Sequence, residues 1–357
     1  MARADFSLLK KVLSLPTAPF HEERVIAFVR DCCSRWKLPL MQDAYGNLKA
    51  VYKKGKGAQP IAFMAHMDHP GFEVVRGGKR PVVELLGGVD PEQFLRARVL
   101  ICENGSVVKG KVEKIFNKKK NQFWVRTQAP VTEKSFGYFD LPSVRVKNGL
   151  IFTKAIDNVA SVAMLLNLLE NLARLKQSAH VLCFFTRAEE VGFVGAMAAA
   201  RNAFLPKKIP VIVMETSSAL FGKVAIGEGP VLRVGDRTSV FSSGMDSWLK
   251  SVAQDLKKED RRFQFQRGLL QGGTCEATVL VQEGYTAGGL ALPLGNYHNI
   301  GPRGYACEYI SLKDYQNMLK WVLAVVFSSS RKSSSRKIRK SILRRFQKYR
   351  SRLLQNT

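Results

Sequence analysis

Histidine and acidic residues are scarce in this chain, and their scarcity makes their placement informative. Of 357 residues only 5 are His and 29 are Asp or Glu, against 56 Lys or Arg, so the formal net charge is +27. No run of about 18 apolar residues occurs, so no membrane-spanning helix is expected. The first residues lack the form of a secretory signal, because Asp5 and the Lys10–Lys11 pair interrupt the only candidate apolar stretch. The 6 cysteines include the neighbours Cys32–Cys33 but no Cys-x-x-Cys pair. That spacing argues against a disulfide framework and for reduced thiols in a cytoplasmic protein. No internal repeat is evident. Acid is missing altogether from Ser328 to Thr357, which holds 11 Lys or Arg and leaves +16 for the rest. Such a balance favours association with polyanions and says nothing about fold.

What is present is an alternation of helical and strand patterns. His21 to Trp36 carries an apolar stripe at helical spacing, and Asp43 to Asn47 is a turn signal leading into the strand Leu48 to Tyr52. Pro60 to Ala65 is a short continuous apolar run, as in a strand buried on both faces. From Gly71 to about Phe152 short Val-rich strands alternate with Gly, Asn and Lys turns, and no helical period of useful length occurs. After that come a helix over Asp157 to Ala173, a strand over Ala179 to Thr186, a helix over Glu190 to Ala203 and a strand over Pro210 to Met214. Helices over Met245 to Leu256 and Cys275 to Gln282, a strand over Thr286 to Leu292 and a helix over Leu312 to Phe327 complete the body. The expected fold class is α/β: a mixed central sheet flanked by helices, with a small β-rich domain inserted. The expected division is 1–70 and 153–328 for the main domain, 71–152 for the insertion and 329–357 for a basic tail.

Five short motifs stand at the ends of the expected strands or in the loops after them. They are Ala65-His66-Met67-Asp68, Ala155-Ile156-Asp157-Asn158, Glu189-Glu190-Val191-Gly192, Met214-Glu215-Thr216 and Tyr297-His298-Asn299. Active sites of α/β sheets lie at the carboxyl ends of strands. Singly, each motif has a plainer explanation: a core histidine at His66, a helix cap at Asp157, a solvated first turn at Glu189–Glu190. Together they supply imidazole nitrogens and carboxylate oxygens for two divalent cations, zinc first and cobalt second. Asp157 suits a bridge between the two metals. His66 and Glu215 would complete one site, Glu190 and His298 the other. Asp68, two residues beyond His66, would orient the imidazole. Glu189 would remain free as a general base.

The combination resembles the glutamyl/deblocking aminopeptidase family of co-catalytic metallopeptidases, including the TET aminopeptidases, some of them once described as endoglucanases. Asp43-Ala-Tyr-Gly-Asn-Leu48, Ala65-His-Met-Asp-His-Pro-Gly-Phe72, Glu189-Glu-Val-Gly-Phe-Val-Gly-Ala196 and Gly272-Gly-Thr274 carry the resemblance, which spans about Leu9 to Phe327. It implies a globular peptidase domain interrupted by a small β-rich domain of PDZ-like or barrel form. It implies metal ligation by His66, Asp157, Glu190, Glu215 and His298, general base catalysis by Glu189 and support from Asp68. It also implies a cis Asp157–Asn158 peptide, substrate contact by Gly272, Gly273 and Thr274, peptide substrates and a homo-oligomer. Glu215 stands where the closest relatives carry Asp, and Cys275–Glu276 follow the Gly-Gly-Thr segment where Asp is usual.

The expected activity is removal of N-terminal residues from peptides by a metal-activated water. The alternatives are a metal-dependent deacylase or carboxypeptidase-like hydrolase, and an inactive basic scaffold that binds nucleic acid or anionic surfaces. The intact set with both Glu189 and Asp68 argues against the scaffold. The tail, 331–352, is the element expected to touch nucleic acid or an anionic surface; its Ile338, Ile342, Phe346, Tyr349 and Leu353 recur at helical spacing among basic residues.

Overall fold

The structure is a computed structural model, and it describes residues 4–219, 224–270, 272–328 and 333–354. Eight strands form the main sheet, in the spatial order Leu40–Gln42, Leu48–Lys54, Ala179–Thr186, Ile61–His66, Val211–Ser218, Ala287–Leu294, Val231–Gly235 and Gln266–Leu269. The four central strands run parallel. They are buried along their whole length apart from His180, which is why they read as continuous apolar runs rather than alternating ones. Leu48–Lys54 and Val231–Gly235 run antiparallel to their inner neighbours and make the sheet mixed.

Helices cover both faces. On one face the helices Phe6–Ser14, Glu23–Arg35, Val159–Leu175, Ser243–Glu259 and Leu312–Phe327 share a single apolar cluster with the sheet. The helix Val159–Leu175 is buried nearly all round, as its unbroken apolar sequence requires. On the other face the short helices Val194–Arg201 and Glu276–Gln282 press small side chains, Ala196, Ala199 and Ala277, onto the strands. Trp321 anchors the first cluster: it is fully buried, its ring meets Phe265 at 5.3 Å and Phe263 at 6.1 Å, and its indole N–H donates to the Leu249 carbonyl at 3.1 Å.

The Val-rich strands Gly71–Arg76, Val82–Leu86, Arg98–Glu103, Ser106–Asn117, Gln122–Thr127 and Phe136–Phe139 close into a six-stranded antiparallel barrel. Its core is aromatic, with Phe94 set against Phe72, Phe123 and Phe139 at centroid distances of 5.1–5.8 Å. The fold class expected from the alternation of patterns is therefore the one observed. The chain then leaves the barrel through Arg145–Lys147 and Leu150–Thr153, and the latter pairs with Glu308–Ser311 near the carboxyl end of the body.

Two of the boundaries that differ from the sequence expectation bear on the site. The helix expected from Glu190 begins only at Val194, because Gly192 and Phe193 hold φ of 117° and 59°; a helix cannot run through the left-handed region. The strand expected to end at Met214 continues to Ser218, paired with Ala287–Leu294 along its full length. Among the described residues no helix is long and apolar enough to cross a membrane.

Trp321→Ala removes the anchor of the larger helical face. We expect a loss of about 3–5 kcal/mol, read as a shift of the chemical denaturation midpoint.

Candidate metal centre

All five motifs converge at the carboxyl end of the central strands. His66 is the last residue of its strand, Glu215 lies near the end of the next strand, and Glu189–Glu190 follow the strand ending at Thr186. Asp157 closes the segment before the helix Val159–Leu175, and His298 sits in a short turn after Ala287–Leu294. The Asp157–Asn158 peptide is cis. Asn158, not Asp157, takes the position just ahead of the helix, and its side chain donates to the Met214 carbonyl at 2.7 Å.

Asp157 lies between two imidazoles. One carboxylate oxygen, Oδ1, is 3.6 Å from His66 Nε2 and the other, Oδ2, is 3.8 Å from His298 Nε2. Glu190 Oε2 is 3.3 Å from His298 Nε2. His66 Nε2 also faces Glu189 Oε2 at 3.7 Å and Glu215 Oε1 at 3.9 Å. Two groups of donor atoms each lie within 4.8 Å: His66, Glu189 and Glu215, and His66, Asp157 and Glu190. Glu189 thus stands among the potential donors as well as beside them.

The electrostatics of the cluster show a shortage of positive charge. Burial pushes the Glu189 carboxyl well above the usual range, against the pull of His66, and Glu190 and Glu215 push it further. Burial and Asp157 raise Glu215 to about 8, opposed by His66 and Arg233. Burial would lower His298, but Glu190 and Asp157 outweigh it and raise the imidazole to about 10. Burial would also lower His66, but Glu189, Asp157 and Asp68 hold it well above its ordinary value. Asp157 goes the other way: burial is overcome by the imidazoles of His66, His298 and His69, and its carboxyl falls far below the usual range. Among the described residues no Lys or Arg pairs within 4 Å with any of these four carboxylates. A set of oxygen and imidazole donors with this deficit fits divalent cations, whose charge reverses the penalty on the carboxylates.

A second layer of carboxylates holds the loops. Asp68 accepts the N–H groups of Glu189 and Glu190, both at 3.0 Å, through its two oxygens. Its distance to His66 Nδ1 is 3.4 Å, so its firm bonds fix the Glu189–Glu190 turn and not the imidazole. Glu308, fully buried, accepts the N–H groups of Ile156 at 2.6 Å and Asp157 at 3.0 Å on one oxygen and of His298 at 2.8 Å on the other. His298 Nδ1 donates to the Gly88 carbonyl at 2.9 Å, which leaves Nε2 turned to Glu190 and Asp157. Gly88 belongs to the barrel segment, so the inserted strands reach the centre. The Asp43–Leu48 motif also acts here: Asn47 accepts the Arg187 N–H at 3.1 Å and donates to the Gly195 carbonyl at 3.0 Å, clamping both ends of the Glu189 loop.

Gly272, Gly273 and Thr274 line the same cleft, of about 180 Å³, with Arg233 and Tyr297. Asp236 holds that loop, accepting the Cys275 N–H at 3.0 Å and the Thr278 hydroxyl at 2.6 Å. Arg233 is buried, with Nε bonded to the Ser217 hydroxyl at 3.0 Å. Sequence reasoning marked Asn47 only as part of a turn and of a family-like segment, and did not single out Glu308, Asp236 or Arg233, which are long-range partners with ordinary local context.

The sequence profile of the M42 glutamyl aminopeptidase family matches residues 46–320. The solved TET1 peptidase of Pyrococcus horikoshii, described as able to assemble into a tetrahedron or a large octahedral shell, is 23% identical with a TM-score of 0.75; the match covers 90% of this chain and 99% of that one. An aminopeptidase of Desulfurococcus kamchatkensis is 22% identical with a TM-score of 0.75, covering 90% of this chain and 94% of that one. At these identities the likeness shows the fold. A curated relative, the [LysW]-lysine hydrolase of Deinococcus radiodurans, is 33% identical over 95 residues, which is 26% of each chain.

Glu308→Ala leaves three buried N–H groups without their acceptor. We expect about 1–3 kcal/mol of lost stability and about 10–100-fold weaker metal binding, checked by denaturant melts and metal titration of the same preparation.

Proposed function

Because the chain belongs to the M42 glutamyl aminopeptidase family, we propose that it is a metal-dependent aminopeptidase that removes N-terminal residues from peptides. The observation that carries the reading is Asp157, whose two oxygens each face a different buried imidazole. His66, Asp157 and Glu215 would hold one divalent cation, and Asp157, Glu190 and His298 would hold a second. Bound cations supply Lewis acidity toward the scissile carbonyl and lower the pKa of a water in the cleft. Zinc suits the imidazole and carboxylate donors, and cobalt is the second choice.

Glu189 accepts the proton of the attacking water and delivers it to the leaving amine as the C–N bond breaks. Asp68 fixes its backbone by accepting its N–H at 3.0 Å. Gly272, Gly273 and Thr274 form the wall against which the substrate lies, and their backbone allows close approach. The TET1 relative's shells support a homo-oligomer for this chain. Six free, buried cysteines support a reducing, cytoplasmic setting. The match to a [LysW]-lysine hydrolase favours one second reading, a metal-dependent deacylase.

Metal analysis of the purified protein should give about two divalent ions per chain, and chelator should abolish cleavage of aminoacyl chromogenic substrates. Glu189→Gln should lose at least about 100-fold in kcat while keeping both metals. Metal bound with no cleavage of any aminoacyl substrate points to the deacylase instead. No metal uptake with zinc or cobalt defeats both readings. Glu190→Gln should lower metal content as well as rate, which separates ligand from base.

A further inference from the structure

The family match ends at residue 320, so it leaves the basic tail without a role. Ser333–Leu354 is a helix of 22 residues; the residues joining it to the body, 329–332, and the last three, 355–357, lie outside the described residues. The helix packs beside Ser243–Glu259 of the body. At about 100° per residue, Ile342, Phe346 and Tyr349 fall within a narrow arc of one face, and sequence spacing puts Ile338 and Leu353 in line with them. The side chains of Ile342, Phe346 and Tyr349 are not covered by the body, being 62%, 56% and 48% exposed. Arg339 and Arg350 fall along one edge of the stripe, Arg345 and Arg352 along the other, and no Asp or Glu occurs from Ser328 onward.

We propose that this helix docks the protein on the surface of an anionic lipid membrane. Such a helix lies in the interface with its apolar face about 5–10 Å deep and its cations among the headgroup phosphates. A lipid surface uses both features at once. Nucleic acid would take the cations and leave Ile342 in water. A second copy would cover the stripe but would set two acid-free helices, each with the same cations, against each other. The helix lies on the membrane and does not cross it, since cations interrupt its apolar stretch throughout. Docking is independent of the peptidase reading and leaves the cleft unchanged.

The test is flotation of the full chain with phosphatidylcholine vesicles with and without phosphatidylglycerol, with peptidase activity or metal content as the check of folding. The wild type should float with the anionic vesicles only, and less as salt is raised. Arg345→Gln with Arg350→Gln should weaken binding about 30-fold, at roughly fivefold for each cation. Ile342→Ser with Phe346→Ser should weaken it at least about tenfold through lost apolar burial, leaving folding unchanged. No flotation of the wild type overturns the proposal. So does full flotation of the Ile342→Ser, Phe346→Ser variant, which would mean adsorption by charge alone. Binding of single-stranded RNA in place of vesicles, unaffected in that variant, would assign the tail to nucleic acid.

Discussion

Four carboxylates converge in one buried cleft, and the rest of the molecule is arranged around that repulsion. Asp157, Glu189, Glu190 and Glu215 come from three separate segments and meet within a few ångström of two imidazoles. Burying like charges is costly unless a cation is supplied, and no described Lys or Arg supplies it within ion-pair distance. The cluster therefore stores a demand for positive charge, which is the physical basis for binding divalent metal. It also demands rigidity, since carboxylates free to swing would relieve the repulsion by turning away.

That rigidity comes from a second tier of acids whose charge is spent on backbone N–H groups. Asp68 fixes the Glu189–Glu190 turn, Glu308 joins the Asp157 and His298 loops, and Asp236 holds the Gly272–Thr274 loop. Glu22 extends the pattern outward: it accepts from the Arg187 side chain at 2.7 Å and the Ala188 N–H at 2.9 Å. In a chain with only 29 acidic residues, this concentration is a division of labour. One group faces the reaction space and the other holds the first in place. The barrel joins this scheme through the carbonyl of Gly88, which fixes the ring orientation of His298.

The basic surface has a separate logic. It is remote in sequence from the acidic cleft, and its most concentrated part lies beyond the family match. Attachment to an anionic surface would restrict where the peptidase works without altering its chemistry, because the tail helix meets the body at Ser243–Glu259 rather than at the cleft.

Much of this was legible in the sequence, for a definite reason. Strands buried on both faces must be continuous apolar runs, and motifs at their carboxyl ends must share one edge of a parallel sheet. His66, Asp157, Glu189, Glu190, Glu215 and His298 could thus be grouped before any coordinates. The alternation of short Val-rich strands with turns likewise marked a β-rich region after Gly71, though not that its strands close into a barrel. Closure is set by pairing between distant segments, such as Gly71–Arg76 with Phe136–Phe139. Apart from Asp68, the holding acids were hidden for the same reason. Glu308 precedes an ordinary helix cap and Asp236 sits in an ordinary loop, and neither has a local pattern that names its partners. The late start of the helix at Val194 follows from the backbone angles of Gly192 and Phe193, in a loop that Asp68 and Asn47 hold from other segments of the chain. The sequence by itself determined which side chains could do the chemistry. The tertiary structure decided how they are held, because hydrogen bonds to backbone N–H groups are made across the fold and leave no periodic trace along the chain.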